Sequence, residues 1–296
     1  MRYILSYIIL LLTISISIYS LANFSHYLTI SCVDIVDFSD LTYSNKGVTC
    51  TGLSYDKKRD VWYIADIGKN IQDSYGTKLY RKLLKKGEKY NSRIVVVSKD
   101  FHKIINTIPC SEIFPNCKDV QGVAYDKFND SLWYVSPGEN LIRNIDMEGR
   151  CIREITVENP SGIACNTKDD TVWVLTSSTL YNLRKDGEIL NLYSLNIKGL
   201  DQIFIDEDMD ILLITVGDNY YVNNYLYTFS LSERKIVSKI ALENSYAIEG
   251  VAILDDILFI INDGYYHKAK IPKNIVALYK YNDIKNIISK DRGNGI

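Results

Sequence analysis

Five segments of this chain repeat one pattern, and that repetition limits the fold more than any other feature. Each segment has a short apolar strand, a polar turn rich in Asp, Asn and Lys, and a second, more apolar strand. The first strands are anchored at Gly52, Gly122, Gly162, Gln202 and Gly250, at intervals of 70, 40, 40 and 48 residues. Repeats of this length built from short strands are typical of β-propeller blades, whereas leucine-rich and ankyrin repeats are shorter.

Two further strands follow each pair and complete a blade of four antiparallel strands. In the second repeat they are LIRNIDMEG and CIREITVE, which meet at Glu148-Gly149 in a turn typical of β-hairpins. The first interval is long because residues 67–91 are read as an insert. The last repeat lacks a fourth strand. The apolar stretch HYLTISCVDIV, which precedes the first repeat, is not part of any other blade. We expect that stretch to pair beside IVALYKYN as the outermost strand of the final blade.

The chain is therefore predicted to be an all-β propeller with five blades, or six if the insert contains one. Residues 23–296 form a single domain on this reading. A content of 23 Tyr with only 5 Pro favours strands. The net charge is −2 and no long run of Lys and Arg is present, which argues against a nucleic-acid partner. We expect a monomer.

Residues 1–22 read as a targeting segment. Arg2 provides a positive start, Ile4–Tyr19 form an apolar stretch, and Ser20-Leu21-Ala22 supply the small residues that precede signal-peptidase cleavage. Cleavage before Asn23 is the first interpretation, and an uncleaved membrane anchor is the alternative. The apolar stretch is shorter than the ~20 residues that span a bilayer. Either interpretation places the remaining chain outside the cytosol, with membrane contact only through this segment.

Six cysteines are compatible with an oxidising compartment. Their pairing is not determined by the sequence, because six cysteines allow 15 complete pairings. Cys110 and Cys117 form the best local pair, since the connection SEIFPN between them is loop-like. No CxxC motif is present, so a zinc module is not expected.

The strings VWYIADIGKN and LWYVSPGENLIRNIDMEGR resemble NHL-type propeller repeats. The first-strand pattern, with Glu249-Gly250-Val251-Ala252 in the last blade, is similar to the SdiA-regulated family and to the esterase-like group related to phytases, both exported propellers. This resemblance implies the fold over nearly all of residues 23–296. Gluconolactonase and regucalcin relatives hold a divalent metal on a Glu, Asn and Asp set. Glu249 alone matches that set, so their chemistry is not transferred.

A propeller places ligands at the mouth of its central channel, where first strands begin and second strands end. The predicted site is acidic and rich in oxygen atoms. Its candidate residues are Gln121, Asp201, Glu249, Asp66, Asp218, Asn262 and Asp263. Carboxylate and carbonyl oxygens suit Ca²⁺, with Glu249 and Asp201 as the first candidates for metal ligands. The alternative is a solvated mouth whose Asp and Asn side chains satisfy turns.

Two functions remain open at this point. The first is a non-catalytic module that binds a small ligand or a protein through the channel face. The second is a Ca²⁺-assisted hydrolase or lactonase acting on small ester, phosphate or sugar substrates. The sequence contains no GxSxG, GxGxxG or P-loop motif, so neither a serine-triad elbow nor a nucleotide site is indicated.

Overall fold

The computed structural model describes residues 28–39, 41, 49–68, 91–217 and 220–293. Within this part the chain forms five antiparallel sheets arranged in a ring as a β-propeller, as predicted. Most of the insert predicted at 67–91, and all of residues 1–22, lie outside the described residues. No helix in the described ranges is both long and apolar enough to cross a membrane.

Each blade has four antiparallel strands in order from the channel outward. Blade 1 contains β3 (Cys50–Asp56), β4 (Val61–Asp66), β5 (Arg93–Ser98) and β6 (Ile104–Ile108); blade 2 contains β7 (Val123–Asp126), β8 (Ser131–Ser136), β9 (Leu141–Ile145) and β10 (Cys151–Thr156); blade 3 contains β11 (Pro160–Asn166), β12 (Thr171–Thr176), β13 (Thr179–Arg184) and β14 (Ile189–Ser194); blade 4 contains β15 (Leu200–Asp206), β16 (Ile211–Val216), β17 (Tyr225–Ser230) and β18 (Lys235–Leu242); blade 5 contains β19 (Ile248–Leu254), β20 (Ile257–Asp263), β21 (Asn274–Lys280) and β2 (Asp34–Asp37).

The two ends of the chain close the ring in blade 5. Strand β2 pairs antiparallel with β21, so that Asp34 lies opposite Leu278 and Asp37 opposite Ile275. The predicted clasp is therefore present, and the six-blade alternative is wrong for the described residues. One part of the expectation was too broad, because β1 (Thr29–Ile30) leaves blade 5 and pairs in parallel with β18 of blade 4.

The repeated glycines let neighbouring inner strands approach each other closely. A Cβ atom at Gly52 would lie 2.8 Å from the carbonyl oxygen of Gln121, and one at Gly250 would lie 2.5 Å from the backbone nitrogen of Leu53. At both positions the neighbouring backbone is too close for a Cβ atom to fit unless the backbone moves. The glycine at four of the five anchors thus fits a narrow ring in which backbone meets backbone.

The polar turns of the repeat cap the opposite end of each blade. Asp56 ends β3, and its Oδ1 accepts hydrogen bonds from the backbone nitrogens of Lys58 and Arg59. Asp126 and Asp206 form the same arrangement in blades 2 and 4. These side chains supply the acceptors that the turn backbone lacks, which explains the Asp at this position in three of the five repeats.

The second strands carry most of the core. Strands β4, β8, β12 and β16 are buried along their whole length, because each face packs against an adjacent blade. Trp62 of β4 shows the pattern: its ring contacts Phe259 of blade 5, with centroids 4.8 Å apart, and is fully buried. Because both faces of these strands are buried, their sequences are nearly continuous apolar runs.

Three short helices complete the described part. Helix α1 (Cys110–Ile113) follows β6, and α2 (Gly264–His267) follows β20 at the mouth of the channel. Helix α3 (Tyr281–Gly293) buries Tyr281, Ile284 and Ile288, which share one face, and packs against β18. The stretch after β21 is thus a helix docked on blade 4.

Candidate functional site

The channel face is the end of the propeller where the innermost strands begin and the second strands end. Two acidic residues of neighbouring blades stand there, Asp201 at the start of β15 and Glu249 at the start of β19. Both were the first candidates from the sequence. The pKa of Asp201 responds to the charge of Glu249, which shows that the structure brings the two carboxyl groups near each other.

Irregularities in the inner strands set the direction of these side chains. The pairing register shifts between Leu200 and Ile203 in β15, and between Ile248 and Val251 in β19. Asp201 and Glu249 are therefore the extra residues of β-bulges, which turn side chains away from the regular alternation of a strand. The same shift between Cys50 and Gly52 in blade 1 indicates that the bulge belongs to the repeat.

A threonine hydroxyl links the two bulges. Thr215 Oγ1 accepts a hydrogen bond from the backbone nitrogen of Gln202 at 2.9 Å and lies 3.1 Å from the carbonyl oxygen of Glu249. This contact joins the inner strand of blade 4 to that of blade 5 immediately beside the two acidic residues. The carboxyl groups thus stand on a backbone fixed by buried hydrogen bonds.

Asp201 has an unusual environment for an acidic residue. It is partly exposed, and no described residue donates a hydrogen bond to its carboxyl group. Burial raises the pKa of Asp201 well above its ordinary value, the Glu249 carboxyl raises it further, and His267 opposes the shift. A carboxyl group without a described donor is a candidate position for a ligand that donates a hydrogen bond.

Glu249 is more deeply buried and is joined to a histidine. His267 Nε2 lies 3.1 Å from Glu249 Oε1, and the imidazole stacks on the ring of Tyr220 with centroids 4.6 Å apart. Burial raises the pKa of Glu249 well above its ordinary value. Burial also raises the pKa of Tyr220 to about 12, and nearby Glu249, Asp201 and Asp263 contribute to that increase.

From the sequence, His267 was placed in a loop that could overhang the channel but was not made a site candidate, and Tyr220 was missed. His267 lies on α2, 18 residues after Glu249, and Tyr220 lies in the connection from β16 to β17. The backbone nitrogen of Lys270 donates to the carbonyl oxygen of Tyr220 at 3.0 Å and holds the two loops together. The available signal was only that both residues follow a second strand at the channel face.

A buried glutamine connects the inner strands of neighbouring blades. The side chain of Gln202 is buried, and its Nε2 donates to the carbonyl oxygen of Ser161 in blade 3 at 2.6 Å. Its Oε1 lies where a Cβ atom of Gly122 in blade 2 would be 2.7 Å away. The amide thus lies between the inner strands of blades 2, 3 and 4.

The remaining sequence candidates have other surroundings. Asp66 is fully buried, accepts from Arg93 Nε at 2.9 Å, and also accepts from the backbone nitrogens of Thr49 and Gly68. Asn262 accepts from Ser245 Oγ and donates to the carbonyl oxygen of Ile260. These bonds give both residues a role in holding loops at the channel face.

Of the other three candidates, Gln121 and Asp263 lie among the described residues. The carbonyl oxygen of Gln121 accepts from the Thr51 hydroxyl at 3.2 Å, in the contact between blades 1 and 2. Asp263 is buried at the end of β20, next to α2. Asp218 lies outside the described residues.

Glu249 and Asp201 were the residues predicted from the sequence to bind Ca²⁺. Among the described residues, no group of three or more His, Cys, Asp or Glu side chains is arranged to hold a metal ion. Asp201 and Glu249 supply two carboxyl groups, and burial raises the pKa of both. A calcium site at Glu249 and Asp201 stays a prediction.

All six cysteines are free thiols in this structure. Cys110 and Cys117 are both buried and belong to one hydrophobic cluster between blades 1 and 2. Burial raises the pKa of Cys110 above the ordinary range for a thiol, and the neighbouring Cys117 adds to that effect. Their disulfide stays a prediction.

Comparison with solved structures supports the fold. A protein of unknown function from Bacteroides caccae matches with a TM-score of 0.51 and 14% identity, over 80% of this chain and 80% of that one. The nidogen/laminin complex matches with a TM-score of 0.50 and 14% identity, over 79% of this chain and 86% of that one. A luciferin-regenerating enzyme matches with a TM-score of 0.50 and 11% identity, over 83% and 95%.

These matches include β-propellers, and the resemblance to NHL-type repeats is confirmed at the level of the fold. Because the sequence identities are low, they show the fold alone. No family profile matches this chain. No curated protein matches it either.

Proposed function

We propose that this chain is an exported, non-catalytic β-propeller that binds a ligand or a protein partner through its channel face. The observation that carries this proposal is the Asp201 carboxyl group, which is partly exposed and has no hydrogen-bond donor among the described residues. A carboxyl group held there on a fixed backbone without a donor lowers the stability of the folded state. Natural proteins keep such destabilising residues at positions that function requires.

The composition of the site also favours binding. Asp201 and Glu249 supply carboxyl groups near the stacked rings of Tyr220 and His267, and Gln202, which follows Asp201, is buried. A few polar groups beside aromatic surface are the common lining of a ligand pocket. The same fold hosts both binding proteins and enzymes, so the argument rests on these residues rather than on the fold.

A thermal-shift screen tests the proposal. A panel of amines, amino acids, sugars, carboxylates and short peptides is added to the full chain, because a ligand that binds the folded state raises the melting temperature. The expected result is a class of compounds that stabilises the wild type and not the Asp201→Asn variant. Asp208→Asn is the matched control, since that exposed side chain belongs to a turn at the opposite end of blade 4. Equal shifts in wild type and Asp201→Asn would place binding elsewhere.

Export is a separate part of the proposal and rests on residues 1–22. The apolar stretch Ile4–Tyr19 followed by Ser20-Leu21-Ala22 supports entry into a secretory pathway and cleavage before Asn23. Sequencing the amino terminus of protein recovered outside the cytosol tests it. We expect the mature chain to begin near Asn23, and an intact Met1 would contradict cleavage.

A hydrolase is the second candidate, and the contact between His267 and Glu249 favours it. A carboxyl group that orients an imidazole is a common element of acid–base catalysis. A panel of esters, lactones, phosphate esters and glycosides, assayed with and without Ca²⁺, tests this candidate. Turnover that is lost in Glu249→Gln, together with a stoichiometric divalent ion lost in the same variant, would favour the enzyme. No turnover and no ion would leave the binding function.

A further inference from the structure

An exposed apolar rim surrounds the channel face between blades 4 and 5. It consists of Tyr220, Tyr221 and Val222 before β17 and Tyr265 on α2, and Tyr221, Val222 and Tyr265 each have half or more of their surface exposed. The hydrogen bond from the Lys270 nitrogen to the Tyr220 carbonyl oxygen makes the two loops one surface. Exposed apolar side chains grouped around a polar centre are characteristic of protein interaction sites.

The centre of this rim is acidic. Asp201 and Glu249 stand there, and His267 is the one described basic side chain that contacts either carboxyl group. Two lysines belong to the α2 loop as well. Lys270 Nζ lies over the ring of Tyr246 at 5.2 Å, and Lys268 forms no described ion pair with Asp201 or Glu249. A positively charged group of a partner would therefore complement these two carboxyl groups.

The extent of the rim favours a polypeptide over a free amine. A small amine would cover the acidic centre and one ring, whereas Tyr221, Val222 and Tyr265 extend the apolar surface over two loops. An extended segment places apolar side chains on either side of one long basic side chain. Tyrosine supplies large contact area at low cost in side-chain entropy, which suits a surface that binds a chain.

We propose that the channel face docks a polypeptide segment that inserts a Lys or Arg side chain beside Asp201 and Glu249 and packs apolar neighbours on the rim of Tyr220, Tyr221, Val222 and Tyr265. This inference rests on the proposed binding function and names its partner. The basic group donates hydrogen bonds to the Asp201 carboxylate, and its aliphatic part covers the ring of Tyr220. Its positive charge offsets the cost of holding two carboxyl groups together.

A random peptide library displayed on phage, selected on the full chain, tests the inference. We expect enrichment of peptides with one Lys or Arg flanked by apolar residues. The affinity of a synthetic copy of a selected peptide should fall about tenfold or more in Asp201→Asn and in Tyr265→Ala, as for central contacts of an interface. Leu192→Ala is the control, because Leu192 is an equally exposed apolar residue on the outer strand of blade 3. Its affinity should equal that of the wild type.

The outcomes separate the two proposals. Selected peptides without basic residues whose affinity falls in Tyr265→Ala and not in Asp201→Asn would overturn the basic side chain and keep the channel face. Peptides that lose affinity in Leu192→Ala and in neither channel-face variant would overturn the proposed function itself. A capped lysine amide that competes as strongly as the whole peptide would overturn the polypeptide partner in favour of a small amine. No enrichment over beads without protein would also overturn the polypeptide partner.

Discussion

Gly250 in the innermost strand of the last blade lies against Leu53 in the innermost strand of the first blade, so closely that a Cβ atom at 250 would be 2.5 Å from the Leu53 nitrogen and 2.7 Å from the Leu53 Cβ. This contact joins blade 5 to blade 1 around the channel. The partner atoms include backbone, which cannot move aside as the end of a flexible side chain can. The closed ring therefore depends on the absence of a side chain at this position.

The first prediction follows from that contact. Gly250→Ala is expected to lower the free energy of unfolding by about 3 kcal/mol, because the added methyl group overpacks the junction of two inner strands. Chemical denaturation of both proteins measures the difference. Gly293→Ala is the matched control, since nothing lies within 4 Å of a Cβ atom there. Equal destabilisation by the two variants would contradict the close approach at 250.

The second prediction concerns the strand clasp. The Phe38 nitrogen donates to the Asn274 carbonyl oxygen, and hydrogen-bonded pairs alternate along an antiparallel ladder, so the Val36 nitrogen also faces β21. The Ile35 nitrogen instead donates to Asp34 Oδ1 and faces away. Val36→Pro should therefore lower the free energy of unfolding by about 3 kcal/mol.

Ile35→Pro is the control for the clasp, because a proline is tolerated on an edge strand where its nitrogen faces solvent. We expect it to cost clearly less than Val36→Pro in the same denaturation experiment. If the two prolines were equally mild, the pairing of β2 with β21 would contribute little to closing the ring.

The predictability of the fold and of the site differed for physical reasons. The spacing of Gly52, Gly122, Gly162 and Gly250 was readable because each glycine meets the next inner strand in the same way. The path of Thr29–Ile30 was not predictable, because a strand of two residues fits the outer edge of blade 4 as well as that of blade 5. Edge pairing of so short a strand depends on where the chain crosses between sheets, which no local pattern encodes.

The acidic centre was predictable and its surroundings were not. Asp201 and Glu249 precede or occupy anchor positions of the repeat, so their placement at the channel face followed from the register of β15 and β19. His267 meets Glu249 through the conformation of the loop after β20. In that loop Gly264 leaves room for the carbonyl oxygen of Ile271, which would be 2.0 Å from a Cβ atom. Loop geometry of this kind is set by tertiary contacts rather than by a repeating pattern.

The third prediction tests whether Asp201 is kept for function at a cost in stability. Its raised pKa means that the folded protein holds this proton to a higher pH than the unfolded chain does. The associated stability is present below the unfolded pKa of about 4 and is lost as the pH rises through the folded value. Asp201→Asn removes that loss, so the variant should melt at a higher temperature than the wild type at neutral and alkaline pH.

At acidic pH the two melting temperatures should converge, because Asp201 is then neutral in the wild type and resembles the amide. Thermal melts across the pH range, in the absence of any ligand, provide the measurement. A variant that is less stable than the wild type at every pH would show that the carboxylate is bonded within the protein, against the structural basis of the proposed function.

The fourth prediction concerns the predicted disulfide. Protein recovered from an oxidising compartment should contain a bond between Cys110 and Cys117, since both thiols lie in one buried cluster. Peptide mapping by mass spectrometry under non-reducing conditions identifies the linked pair. Cys50 is the internal control: it is fully buried beside the channel face, and burial raises its pKa, so it should resist alkylation in the folded protein. A bond between any other pair would contradict the local pairing.

The fifth prediction uses the buried ion pair of Asp66 and Arg93. Burial raises the pKa of Asp66 to about 6, although the guanidinium of Arg93 and two backbone nitrogens oppose the shift. Because the Arg93 guanidinium lowers the pKa of Asp66, Arg93→Gln raises that pKa further. At alkaline pH the variant either buries a carboxylate without its cation or binds a proton that the wild type lacks, whereas at acidic pH Asp66 is neutral in both proteins. The loss of unfolding free energy should therefore be large near pH ~8, about 3 kcal/mol, and clearly smaller near pH ~5.

Denaturation at both pH values measures this loss. Lys273→Gln is the control, because the ion pair of Lys273 with Asp37 is exposed. The control should cost under about 0.5 kcal/mol at either pH. A cost for Arg93→Gln that did not change between the two pH values would show that Asp66 stays ionised, or stays neutral, throughout.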